Sequence, residues 1–465
     1  MTSPTERPVV AVANRLPVHA GSDGWELSPG GLVTALRPVM ERRSGVWVGW
    51  DGGESGTPSR LPNLSIDLTG VALDADDVVG YYHGFANRTL WPLLHDSVEK
   101  PVLDRSWWTT YRKVNEIFAE RTVEALRAHP EALLWVHDYH LMLVPALVRE
   151  QLPEQRTGFF LHVPWPAPDL YARLPWRRDL LRGLLGADVV SFHVERYRQN
   201  FARSAVRLLG DEVAVKGSAI TVDGGRTVST TASPISIDAA QYADTARSQE
   251  ARGELQAREE QFAGRTVLLG VDRLDYTKGI VERLLAFEQL LERRDDLRSQ
   301  VVLVQIAVPS RDDVQEYRDL RSTVEQVIGR INGRFTEPGE DVPVHYLYRG
   351  LPQPQLASYY ARADVMLVTP LEDGMNLVAK EYVVVQSALR RSGVLVLSEF
   401  TGAASELREA TRCNPFDVEG LSQVVEQALT APADARRRAM GAMARRVRRH
   451  DVHAWVERQL TDLAG

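Results

Sequence analysis

The sequence predicts an α/β protein of two domains built on parallel sheets, and three observations carry that reading. From about residue 107 onward, short continuous apolar runs alternate with amphipathic helical segments, the pattern of strands joined by crossover helices. The rhythm weakens over residues 209 to 265 and then restarts. The chain is also long for one core, since 465 residues correspond to two domains of roughly 200 residues each. The expected boundary lies close to Asp238.

Composition narrows the function classes. Hydrophobic residues at 44% and charged residues at 25% are those of an ordinary globular protein. A net charge of -7 supplies no positive excess to offset phosphate, which argues against a general nucleic-acid partner. The lone Cys413 forms no internal disulfide and fits a reducing compartment. The start MTSPTERPVV lacks the basic residues and apolar core of a signal peptide, and no apolar run approaches a membrane span. A cytoplasmic protein with no membrane partner is expected. Its oligomeric state stays open, a homo-oligomer included.

Each element has its own justification. RPVVAVANRLPV is an apolar strand ending at Asn14-Arg15, and Pro29-Gly30-Gly31-Leu32 opens a helical pattern running to Met40. A strand, a glycine pair and a helix form a phosphate cradle, although two glycines are also an ordinary turn. VWVGW ends at Trp50, and GYYHGFANRTLWPLLH carries Tyr82 and Trp91, aromatics that such positions usually bury. Asp74-Ala75-Asp76 mimics a metal-binding pair but lies in an acidic, surface-like stretch, and we read no metal site there. ALLWVHDYH is a buried strand ending at His137-Asp138, and RTGFFLHVPWP one ending at His162. Parallel sheets bind ligands at the carboxyl ends of their strands, where Asp138 and His162 both fall. Structural roles remain open for both.

In the second half TVLLGVDRLDYTKG is a strand ending at Arg273, whose loop brings Lys278 to the start of the helix IVERLLAFEQLLERR. Two cations bracketing a strand-to-helix loop suit a diphosphate, and equally a solvated surface pair. VVLVQIAVPSRDD is read as a strand ending at Arg311. ADVMLVTP is a buried strand leading into LEDGMNLVAKEY, where Asp373-Gly374 turns the chain into a helix from Asn376 to Gln386. Glycine there is read as supplying the unusual backbone conformation. The amides of Gly374, Met375, Asn376 and Leu377, with the helix dipole, suit a negative group, Asp373 suits sugar hydroxyls, and Glu381 suits a ribose.

Together NRLP, PGGL, WVGW, YYHGFANRTLWP, WVHDYHL, GFFLHVPWP, DRLDYTKG, AVPSR and LEDGMNLVAKEY, in that order from about residue 9 to 420, resemble the trehalose-6-phosphate synthase family (glycosyltransferase family 20). The resemblance implies the GT-B architecture: two Rossmann-like domains with parallel sheets facing across a cleft. Residues 1–238 would bind acceptor and 239–449 the nucleotide sugar, with the last helix, 450–465, crossing back onto the first domain. It also implies the reaction, transfer of glucose with retention from a nucleoside diphosphate glucose to glucose 6-phosphate, without metal or cofactor.

Residue by residue, the resemblance places Arg15, Trp50, Tyr82, Trp91 and Arg311 on the acceptor, two arginines suiting a phosphate and aromatics a sugar. It places Gly31, Asp138, His162, Arg273, Lys278, Asp373, the segment Gly374 to Leu377 and Glu381 on the donor. Asp138, His162, Arg273, Lys278 and Asp373 form its catalytic set. Two departures stand out: Ser236 replaces a family glycine in SPISID, and GLPQPQLASYY differs where the family approaches the base. UDP-glucose is the family default, and GDP-glucose or ADP-glucose is left open. Competing readings are an epimerase, a phosphorylase, a non-catalytic sugar-phosphate sensor, and transfer to another phosphorylated polyol.

Overall fold

A nine-stranded sheet organises the first half of the chain and a six-stranded sheet the second. The structure, a computed structural model, describes residues 7–21, 24–27, 33, 36–37, 40–41, 43, 45–52, 65–96, 99–222, 224–311 and 314–465. Contacts divide the chain into two units, Met1–Ile235 with Val452–Gly465, and Ser236–Asp451.

In the first unit, the central strands are Val9–Arg15 and Leu133–His137, paired in parallel. Val46–Trp50 and then Asp67–Val71 lie beyond Val9–Arg15 on one side, and Thr157–Phe160, Val189–Phe192 and Thr227–Ala232 follow on the other, all parallel. An antiparallel pair, Ala219–Val222 and Val213–Lys216, closes that edge. Val46–Trp50 and Leu133–His137 are buried throughout, as expected of parallel strands covered on both faces. Strand order reverses between Val9–Arg15 and Leu133–His137, so this sheet is doubly wound with its switch point there.

The segment Val78–Leu90 is a π-helix, a form uncommon at this length. It packs on the helix Arg105–Ala128 through two glycines: a Cβ on Gly80 would sit 2.7 Å from Thr110 Oγ1, and one on Gly84 2.6 Å from the Trp107 ring. The final helix, Val452–Ala464, belongs to this unit. Its Trp455 ring lies 5.3 Å from Trp135 and 5.0 Å from Phe160, its indole N–H donates to Ser233 O (3.2 Å), and Arg156 Nε donates to Leu463 O (2.8 Å).

The second unit's sheet is parallel throughout, in the order Val344–Leu347, Val301–Val308, Thr266–Arg273, Val365–Val368, Val394–Ser398, Thr411–Cys413. Helices Ile280–Arg293, Gln315–Phe335 and Val418–Leu429 contribute Leu284, Leu291, Val324, Ile331, Leu421 and Val425 to one core with these strands. Order reverses between Thr266–Arg273 and Val365–Val368, which places the switch point above Arg273 and Thr369. Among the described residues, no helix is long and apolar enough to cross a membrane.

Candidate active site

In the first unit the residues singled out by the sequence cluster at the carboxyl ends of the central strands. Val9–Arg15 ends in a register shift, and Leu16 N donates to Trp50 O (3.1 Å), which brings Arg15 beside Trp50. Gly49 permits this close approach, since a Cβ there would lie 2.5 Å from the Arg15 carbonyl carbon. The Arg15 guanidinium carbon stands 4.3 Å from the centroid of the Trp50 ring and 5.5 Å from that of Tyr82, cation–π geometry in both cases. Trp50 and Tyr82 are 6.0 Å apart, and the Trp50 indole nitrogen is buried without a partner among the described residues. Trp91 is buried against Tyr139 (5.7 Å) and His95 (4.0 Å). Gly31 lies outside the described residues.

Asp138 follows the other central strand with φ 75° and ψ 166°, a region almost reserved for glycine. Its amide extends the ladder to Phe160 O (2.8 Å), and its Oδ1 accepts from the His162 amide (3.2 Å). His162 lies just beyond Thr157–Phe160, with its Nε2 3.1 Å from His137 Nδ1. Burial, with smaller contributions from neighbouring imidazoles, holds both histidines well below the ordinary value, so both rings are neutral at physiological pH. The acidic Asp74-Ala75-Asp76 serves the fold: Asp74 accepts from the Asp77 amide (2.7 Å), and Lys113 pairs with Asp77 (2.7 Å).

The second unit gathers charge. Arg273 is the exposed last residue of its strand. Lys278 sits in the short turn Tyr276–Lys278, and its Nζ donates to Asp373 Oδ2 (2.7 Å), which also accepts from Asn376 Nδ2 (3.2 Å). The two loops are stitched by Leu371 N to Thr277 O (2.7 Å), and Gly279, at φ 61°, meets the Thr369 carbonyl too closely to carry a Cβ (2.1 Å). Asn376 is the N-cap of the helix Leu377–Ala388, accepting from the Ala379 amide (3.3 Å). It is Asn376, at φ 73°, and not Gly374, that takes the left-handed conformation of this turn, because asparagine's short side chain caps locally while tolerating that region.

Arg311 also departs from the sequence expectation. Its strand stops at Val308, since Pro309 has no amide to continue the ladder, and Arg311 stands in the following loop at φ 54°. Glu381 is half-buried and accepts from Tyr360 OH (2.8 Å), and burial raises its pKa. Lys380, on the same helix, is buried and paired with Glu406 (2.5 Å).

Beneath these residues lies a layer that no local motif marks in the sequence. Arg283, 1% exposed, donates to Asp272 (2.6 Å), Gln305 (2.8 Å) and Thr369 (3.0 Å), tying two adjacent strands to the residue that follows a third. Gly270 leaves room for it, since a Cβ there would lie 2.3 Å from Arg283 Nη1. Removing one partner from so buried a charge network typically costs about 3–5 kcal/mol.

Two doubly wound units in one chain, with cations and a carboxylate at the second unit's switch point, are the parts of the GT-B class, to which the solved glycosyltransferase relatives below also point. The model for glycosyltransferase family 20 matches residues 7–465. The trehalose-6-phosphate synthase of Mycobacterium avium is 47% identical over 471 residues, covering 98% of this chain and 95% of its own. Among solved structures, E. coli trehalose-6-phosphate bound with UDP-2-fluoro glucose aligns with TM-score 0.89 at 32% identity, covering 98% of this chain and 99% of that one. A UDP-forming α,α-trehalose-phosphate synthase from Burkholderia xenovorans in complex with glucose-6-phosphate aligns with TM-score 0.88 at 34% identity, covering 98% and 100%. The chain belongs to glycosyltransferase family 20 and is an enzyme of the trehalose-6-phosphate synthase type.

Proposed function

We propose that this protein transfers glucose from UDP-glucose to glucose 6-phosphate with retention, giving α,α-trehalose 6-phosphate and UDP. The observation that carries the reading is the Lys278–Asp373 contact at the second unit's switch point, which joins a diphosphate cation to a sugar-binding carboxylate. The ligands named for the E. coli and B. xenovorans relatives supply the donor and acceptor classes.

In this reading the second unit binds the donor. Arg273 and Lys278 neutralise the diphosphate as the glycosidic bond breaks, stabilising charge that grows in the transition state. Asp373 and the amides of Gly374 to Leu377 take the glucose hydroxyls, and Glu381 the ribose. Arg15, Trp50, Tyr82 and Trp91 are assigned to the acceptor, and Arg311 likewise, the arginines suiting its phosphate and the rings its sugar. Asp138 and neutral His162 orient the transferred glucose, and a neutral imidazole suits that task because it both donates and accepts hydrogen bonds. Gly31 joins the donor set from the glycine loop. Departing diphosphate takes the proton of the attacking acceptor hydroxyl on the same face, so configuration is kept without an enzymic nucleophile.

Purified protein incubated with glucose 6-phosphate and, in parallel, UDP-, GDP- or ADP-glucose tests this, with products read by NMR. The expected result is α,α-linked trehalose 6-phosphate, formed fastest from UDP-glucose. Faster turnover of GDP-glucose would correct the donor, a β-linked product would overturn retention, and no product from a folded protein would overturn the activity.

A further inference from the structure

One buried carboxylate in the DRLDYTKG segment has no role in the reading above. Asp275 is 1% exposed, and its two oxygens face different neighbours. Oδ1 accepts from the Thr277 amide (3.0 Å) and hydroxyl (2.9 Å), capping the turn Tyr276–Lys278, while Lys278 N donates to Asp275 O (3.0 Å). Oδ2 accepts from Tyr317 OH (2.9 Å) and from Arg311 Nη1 (3.3 Å). Arg311 Nη1 also donates to the Tyr317 hydroxyl, and its guanidinium carbon lies 5.3 Å from the centroid of the Tyr317 ring.

We propose that Asp275 is a positioning residue, one oxygen shaping the turn that carries Lys278 and the other fixing the guanidinium of Arg311. The proposal rests on the assignment of Arg311 to the acceptor phosphate and Lys278 to the diphosphate. Arg311 is held at both ends: its backbone takes φ 54°, a conformation costing a non-glycine residue about 1–3 kcal/mol, and its head is fixed by Asp275 and Tyr317. Burial opposes the charge on Asp275, but Arg311, Lys278, Arg273 and the Thr277 amide outweigh it and hold the carboxyl at about 2. A full negative charge therefore stands in contact with the guanidinium of Arg311 before any phosphate arrives and fixes its direction. Pre-organisation of this kind reduces what must be ordered when substrate binds.

The two oxygens allow the two duties to be separated. Asparagine retains a capping oxygen and is a good N-cap, so Asp275→Asn removes mainly the charge that faces Arg311. Steady-state kinetics should then show KM for glucose 6-phosphate raised about tenfold, with donor KM and kcat changed less than about threefold. Asp275→Ala loses the cap as well and should add a fall in kcat of about tenfold. In an Arg311→Ala background, Asp275→Asn should add less than about twofold to acceptor KM, because both changes remove one contact. An unchanged acceptor KM in Asp275→Asn, or a full additive effect in the double variant, overturns the proposal. An unchanged acceptor KM in Arg311→Ala alone would instead overturn the assignment of Arg311, and the inference with it. Should the Asp275 variants fail to fold, Tyr317→Phe decides: acceptor KM raised about threefold supports the proposal, and no change overturns it.

Discussion

At its switch point the first unit gathers a single cation, Arg15, among aromatic rings, two neutral imidazoles and a strained aspartate, whereas the second gathers three cations and the carboxylates Asp275 and Asp373. Both sites stand at the carboxyl ends of parallel strands, so topology alone does not distinguish them. The furnishing does. Rings and neutral donors recognise a sugar by shape and hydrogen bonding, while cations backed by buried carboxylates manage a phosphate whose charge changes during reaction. One doubly wound scaffold thus supports either task, and the side chains at the strand ends decide which.

The largest effect should follow from removing charge in the second unit. Arg273→Ala or Lys278→Ala should each lower kcat by about two to three orders of magnitude in steady-state assays, as loss of a transition-state charge partner does. Unchanged turnover in both would remove the leaving-group role and with it the contrast between the units.

A smaller effect should sharpen the comparison from the other side. The backbone of Asp138 is strained at φ 75°, so Asp138→Gly should raise first-unit stability by roughly 1 kcal/mol while lowering kcat. Chemical denaturation and kinetics on the same variant check it. A destabilised variant would mean the side chain contributes more to the fold than its strained backbone costs.

The pH dependence should be the subtlest difference. In the first unit, His137 and His162 have folded pKa values pushed down by burial, so the unfolded chain binds more protons and stability falls as pH drops below about 6.5. In the second unit, Asp275 is held at about 2, so its contribution is complete above the unfolded carboxyl value of about 3.9 and fades as pH falls towards about 2. All ten tryptophans lie in residues of the first unit, so their fluorescence reports that unit alone. Fluorescence-detected denaturation should lose stability between about pH 6.5 and 5, where hydrogen exchange of the second-unit strands changes little. Equal losses in both units over that range would contradict the assignment of the neutral imidazoles.

Much of this was legible in the sequence because local chemistry expresses it. The apolar runs around Leu134, Leu268 and Val396 give the parallel strands, and the polar residues that end or follow strands, Arg15, Asp138, Arg273 and Asp373, give the site positions. What escaped depends on distant partners or on backbone conformation. Lys278 and Asp373 are 95 residues apart in sequence, and neither flanking segment shows their contact. Asp275 reads as one polar residue in a loop until Arg311 and Tyr317 arrive from a different strand–helix unit. The π-helix at Val78–Leu90 closes wider turns than the α-helix whose 3.6-residue period is the sequence signal, so that signal does not specify it. The positive-φ residues Asp138, Arg311 and Asn376 are not glycines, so composition carried no warning.

The division of labour is tested most directly by calorimetric titration of UDP, which carries the diphosphate but no sugar to be transferred, into the wild-type protein and the Lys278→Ala and Asp138→Asn variants. UDP affinity should be at least about tenfold weaker in Lys278→Ala and unchanged in Asp138→Asn. Full affinity in Lys278→Ala, or its loss in Asp138→Asn, would contradict it.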